Sequence, residues 1–145
     1  MSPVVRQKAL LWFARIVTLY ALAIFTFLAW LFIAEPLAHI ARFGVSASGV
    51  PESVNFLRAG PGALFAGMAL TAAWGLARPA HLLSCLWTLV LFNGCVVAVR
   101  LLGILVDGVT PLQLSELRDE GVSWLLFVAA LIAAHPRAPV VVKDS

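Results

Sequence analysis

Residues 82–106 read LLSCLWTLVLFNGCVVAVRLLGILV, and the one charged side chain in this run is Arg100. As a helix rising about 1.5 Å per residue, a run of this length reaches about 37 Å. That is enough to cross a hydrocarbon layer roughly 30 Å thick. Three further apolar runs, at about residues 9–34, 61–77 and 112–134, share its character. The mean hydropathy of +1.00 with only 12% charged residues lies far from a soluble domain, in which about a quarter are charged. Unpaired backbone polar groups are not tolerated in hydrocarbon, so the runs must be helical. The expected fold class is all-α: an integral membrane four-helix bundle forming a single domain over residues 1–145. Its spans are expected near 9–34, 58–77, 82–106 and 112–134, with an extracytoplasmic loop at 35–57.

The charges between these runs and at their ends are sorted by sign. Arg6, Lys8, Arg15, Arg78, Arg137 and Lys143 fall on one side of the implied membrane, and Glu35, Glu52, Asp107, Glu116, Asp119 and Glu120 on the other. The acidic side also holds Arg42, Arg58 and Arg118. Lys and Arg in short loops mark the cytoplasmic face, so both termini are expected there. Trp12 and Trp74 belong to the inner interface on this reading and Trp30 to the outer one. The run starting at Ala9 is too long for a signal-peptide core and is expected to remain as an uncleaved span. The net charge of +3 does not point to nucleic acid, because no basic patch is interleaved with aromatics.

Prolines punctuate the chain. Pro3, Pro36, Pro51, Pro61, Pro79, Pro111, Pro136 and Pro139 are all expected outside span interiors. Glu35-Pro36 ends the first span, and Arg78-Pro79 makes a tight turn between the second and third. Thr110-Pro111 reads as an N-cap followed by a first helical position. Within the long connection, residues 36–43 suggest a short interfacial helix and 44–53 a loop. The second span is rich in small residues, and Ala63 and Gly67 have small-x-x-x-small spacing. That spacing permits close helix approach, expected here within the chain rather than between copies.

The candidate chemistry lies in polar residues at the outer end. Asn93, Arg100 and Asp107 follow one another at seven-residue intervals. Seven residues drift only about 20° around a helix, so the three form one stripe. Charges at membrane depth are costly and usually face the bundle interior with a partner. Glu116 and Glu120 are one turn apart on the fourth span, with Trp124 on the next turn. Asn55 and Arg58 start the second span at similar depth. The candidate ligand-binding residues are therefore Asn55, Arg58, Asn93, Arg100, Glu116 and Trp124, with Glu120 and Asp107 as candidate catalytic acid/base residues. The cluster admits three readings: an ion-pair clasp between helices, a polar pocket for a ligand or headgroup, or an acid/base site.

Other motifs are uninformative or absent. His39, His81 and His135 lack metal-ligand spacing and are expected to be solvated at interfaces, and no metal or cofactor is identified. Cys85 and Cys95 are ten residues apart on one helix, about 280° around its axis, so they cannot pair. Both read as small apolar core residues. There is no glycine-rich phosphate loop, no G-x-S-x-G and no H-E-x-x-H, so kinase, hydrolase and zinc-protease readings have no support.

The run Asn55-Phe56-Leu57-Arg58-Ala59-Gly60-Pro61-Gly62, with Arg100, Asp107-Gly108 and Glu120 further on, resembles a family of small bacterial four-span proteins of uncharacterised function. That family is similar in architecture to the DoxX-like membrane proteins. The resemblance covers roughly residues 10–135. It departs at Gly60-Pro61, where the family usually shows an aromatic residue and a glycine after Arg-Ala. It implies a four-helix bundle in a bacterial inner membrane, with Arg58, Arg100, Asp107 and Glu120 as a polar site and no assigned activity. DoxX-like relatives include subunits of quinone-linked oxidoreductases and assembly or transport factors, so fold alone assigns no function.

The expected function is that of an accessory or ligand-binding membrane protein. Its outer Arg/carboxylate cluster would engage a lipophilic molecule or a membrane protein partner, with the lipid bilayer as solvent. The alternative is a membrane-embedded enzyme acting on a lipophilic small molecule: an acid/base isomerase, a hydrolase or a quinone-linked redox subunit. A transporter is disfavoured, because the carboxylates cluster at one end of the spans and only Asn93 lies near the midplane to continue a pathway.

Overall fold

The computed structural model describes residues 2–135, and the described chain is helical. Pro136, Arg137, Pro139 and Lys143, which entered the topology argument, lie outside the described residues. The elements are α1 (Pro3–Ala34), α2 (Pro36–Ala41), α3 (Pro51–Leu57), a π turn (Arg58–Gly62), α4 (Ala63–Ala77), a 3-10 turn (Pro79–His81), α5 (Leu82–Asp107) and α6 (Pro111–Ala134). Pro3, Pro36, Pro51, Pro79 and Pro111 each open an element. There proline's fixed φ is pre-set for a helix and its missing N–H is not needed. The Thr110 hydroxyl accepts from the Gln113 amide at 3.2 Å, and the Gln113 side chain accepts from the Thr110 amide at 2.8 Å. This capping box starts α6. Gly108, at φ +95°, supplies the left-handed turn that reverses the chain between α5 and α6.

Two expectations about the long connection need correction. Helix resumes at Pro51, not at Arg58, so the loop is shorter than 35–57 and also shorter than 44–53. The pre-set φ of Pro51 and the acidic Glu52 in the first turn favour that earlier start. Pro61 is not at a boundary either. It lies within the continuous helical stretch Pro51–Ala77. Proline cannot donate to the preceding turn and its ring crowds the carbonyl there. The chain absorbs this by widening into the π turn, where the Ala63 amide donates to the Arg58 carbonyl.

Three helical stretches, Val4–Ala34, Pro51–Ala77 and Pro79–Asp107, are long and apolar enough to cross a membrane. α6 is not among them, because Glu116, Arg118, Asp119 and Glu120 fall in its first half. α1 packs on α4 and α6, and α5 packs on the same two helices, so the four long helices follow one another around a ring. At the centre are Ala14, Val17, Ala21 and Phe25 of α1, Met68, Ala69 and Ala72 of α4, Leu86 and Leu89 of α5, and Phe127 and Ala130 of α6. Large apolar side chains also cover the outside: Leu70, Leu105 and Val106 are 70%, 82% and 73% exposed. Apolar groups on both faces of a helix fit a hydrocarbon surround and not water.

Small residues set the helix spacing at places other than the expected pair. Ala63 and Gly67 are exposed, and a Cβ added at Gly67 meets nothing within 4 Å. The close approaches are at Gly62, where a Cβ would be 3.0 Å from Ile33 Cγ1, and at Gly75, where it would be 2.8 Å from Cys85 Cβ. Met68, Ala69, Ala72 and Gly75 share the buried face of α4, and Gly67 falls off it. Cys85 is buried, as expected of a core residue. Cys95 is exposed, in contrast to that expectation.

Candidate functional site

Arg100 projects from α5 toward α6. Its Nε and Nη2 donate to the two carboxylate oxygens of Glu120 in a bidentate pair. Nη2 also lies 3.9 Å from Glu116 Oε2, one turn earlier. The planar guanidinium fork fits a carboxylate in this way, and the i, i+4 spacing on α6 brings the second carboxylate within reach. These three residues form the cluster that their spacing suggested.

The other candidates are placed differently. Arg58 does not join the cluster: its Nε donates to the Ile33 carbonyl at 2.9 Å. There it satisfies one of the unpaired carbonyls at the C-terminal end of α1, where a cation is favoured. Asp107 is exposed at the end of α5 and makes no ion pair among the described residues. Asn55 is exposed on α3 and does not line the cavity described below. Trp124 is not a lining residue. Its Nε1 is buried, without a hydrogen-bond partner, against Gly94, where a Cβ would come within 3.1 Å of it. Asn93 is buried and its Nδ2 donates to the Leu89 carbonyl at 2.9 Å.

A cavity of about 600 Å³ lies among α1, α2, α4, α5 and α6. Its volume falls within the range of roughly 300–1,000 Å³ typical of small-molecule sites. Phe25, Phe65, Phe92 and Phe127 line the inner part, where the Phe25 ring stands edge-on to Phe92 at 5.9 Å and stacks on Phe65 at 6.1 Å. Asn93 adds one amide to this apolar wall. The outer part is polar, with His39, Arg100, Glu116 and Glu120 converging on the same space. Along one side, the Ser123 hydroxyl donates to the Asp119 carbonyl at 2.9 Å. Its single proton is thereby used, so in the 2.9 Å contact between Tyr20 and Ser123 the tyrosine donates.

His39 was expected to be solvated, and it is not. It is buried on α2, together with Pro36 and Ile40. Its ring meets the Phe32 ring edge-on at 4.5 Å and the Phe43 ring at 5.5 Å. The i, i+3, i+4 spacing of Pro36, His39 and Ile40 is the sequence signal for this burial. His81 remains exposed beside Trp74, 5.8 Å between ring centroids. Among the described residues, no group of three or more His, Cys, Asp or Glu side chains could hold a metal ion.

No family model, curated protein or solved structure matches this chain. The site is therefore read from its own geometry. Glu120 accepts one hydrogen bond from Arg100 at each carboxylate oxygen, which fixes its orientation in the site. The arrangement suits binding: an apolar chamber closed at one end by polar groups of both signs.

Burial, then the nearby Arg42 charge, holds the His39 imidazole below its usual 6.5, with Glu116 opposing. The folded state thus disfavours the imidazolium relative to the unfolded chain. The stability tied to neutral His39 is fully present above pH 6.5 and is lost as the pH falls through the lower folded value. The thermal midpoint in detergent is expected to decline on acidification below pH 6.5, and the decline is expected to shrink in His39→Asn. An unchanged slope in the variant would assign the acid response to other groups.

Proposed function

We propose that this chain is a four-span membrane protein that binds a lipophilic small molecule in the cavity beside Arg100. The observation that carries this reading is the cavity itself, with a phenylalanine-lined chamber continuous with a polar end made by His39, Arg100 and Glu120. Ligand sites of this kind are mostly apolar with a few convergent polar groups. α6 acts as the fourth span. Two of its four charged residues, Glu116 and Glu120, turn inward to Arg100. The other two, Arg118 and Asp119, pair with each other at 2.8 Å. Such pairing lowers the cost of placing this turn at the membrane's outer edge. The excess of Lys and Arg at the other end favours cytoplasmic termini. The DoxX-like resemblance suggests the same architecture in a bacterial inner membrane and assigns no activity. The enzyme reading is weaker, because its best acid/base candidate, Glu120, is paired with a guanidinium.

A native mass spectrum of the protein extracted gently from its own membrane tests this function. The expected result is a discrete small lipophile bound in fixed ratio. Protein without a ligand, or a protein partner at fixed stoichiometry in its place, would overturn the binding reading and favour an accessory subunit.

A further inference from the structure

The most isolated polar atom in the site lies outside the ion-pair cluster. His39 is 9% exposed, lines the cavity, and its Nδ1 is buried without a hydrogen-bond partner. Leaving such an atom unpaired costs about 1–3 kcal/mol, and folded proteins rarely do so. The ring is held in place by edge contacts to Phe32 and Phe43. A bound group that reaches Nδ1 would satisfy it.

The charges around this atom are already matched. Arg42 and Glu116 act on His39 in opposite senses. Arg100 is held by Glu120 and approached by Glu116. Asp119, the remaining carboxylate of the lining, is paired with Arg118 at 2.8 Å. A charged head group would enter a set whose charges already sum to zero, Arg42 and Arg100 against Glu116 and Glu120, and would lose its water on entry. A hydroxyl needs no counter-charge. It can donate to Nδ1 or accept from it, so it serves either neutral tautomer of the imidazole.

We propose that the cavity ligand is a neutral lipophilic alcohol whose hydroxyl head sits on His39 Nδ1 and whose apolar body lies among Phe25, Phe65, Phe92 and Phe127. The proposal rests on the cavity-binding reading above and specifies the chemistry of its ligand.

The test compares dodecanol, dodecanoate, dodecylammonium and dodecane against the full chain in phospholipid nanodiscs. Dodecanol is expected to bind about tenfold more tightly than the other three, the worth of one hydrogen bond made at a buried site. His39→Phe keeps a flat ring and removes both nitrogens, and is expected to lose that advantage. His39→Asn returns a polar atom near the Nδ1 position and is expected to keep most of it. The preference of the unaltered chain decides the matter even if His39→Phe fails to fold. Equal binding of all four probes would overturn the hydroxyl head while leaving the cavity reading intact. Preference for dodecanoate or dodecylammonium would overturn it in favour of a charged head. Failure of every probe to bind, together with a native spectrum free of lipophile, would overturn both.

Discussion

Arg100→Met is expected to lower folding stability by about 2 kcal/mol and, on the proposed binding function, to abolish lipophile binding in the cavity. Removing one member of a buried ion pair costs about 3–5 kcal/mol, because the other charge stays buried and unpaired. Here the Arg100 and Glu120 side chains retain 26% and 21% exposure, so solvent screening reduces that figure. Arg100 also holds Glu116 at 3.9 Å, and its loss leaves two carboxylates facing each other across one helical turn. The companion variant Arg100→Met/Glu120→Gln removes both charges. Neutral replacement of a whole pair is often nearly neutral in stability, so the double variant is expected to regain most of the lost thermal midpoint. The two readouts then separate clasp from pocket. Stability regained without ligand means that the cluster both joins α5 to α6 and contacts the bound molecule. Recovery of both means that it only joins the helices. An unchanged midpoint in Arg100→Met would sink the clasp altogether.

Gly75→Ala is expected to destabilise the α4–α5 contact by about 1–3 kcal/mol, the usual range for overpacking a tight interior. A Cβ at Gly75 would stand 2.8 Å from Cys85 Cβ and 2.9 Å from its Sγ. A Cβ cannot rotate away, so the helices must separate. Alanine's helix propensity returns only about 1 kcal/mol. The swap Gly75→Ala/Cys85→Gly moves the methyl group to the opposite helix and is expected to restore most of the stability. Gly67→Ala is the control. Nothing lies within 4 Å of that added Cβ, so it is expected to be neutral or mildly stabilising. Thermal unfolding of the set in one detergent checks the argument. If Gly75→Ala were as stable as Gly67→Ala, the close approach would not limit the packing.

The spacing of Glu116 and Glu120, together with Arg100 in an otherwise apolar run, was enough to suggest the cluster. Helical periodicity fixes which residues of one helix share a face. It does not say which neighbour that face meets. Arg58 shows the gap: its depth suggested the cluster, yet it reaches across to the Ile33 carbonyl at the end of α1. Asp107 belongs to the same stripe as Arg100, but lies at the end of α5 where it is exposed. His39 was missed because its one signal, the i, i+3, i+4 spacing with Pro36 and Ile40, spans little more than a single turn of a connecting segment. Its burial comes from the packing of α2 beside Phe32 and Phe43.

By itself, the sequence determined that the described chain is helical and that three of the four expected spans are apolar and long enough to cross a membrane. It also determined that Pro111 with Thr110 starts the last helix. Those features are local, since hydropathy, proline geometry and capping act over a few turns. Only the tertiary structure decided where the cavity opens, which glycine lies against its neighbour, and that His39 lines the cavity with its Nδ1 buried and without a partner. Each of these depends on the rotation and offset of several helices at once, and that geometry is set by the mutual fit of side chains far apart in the chain.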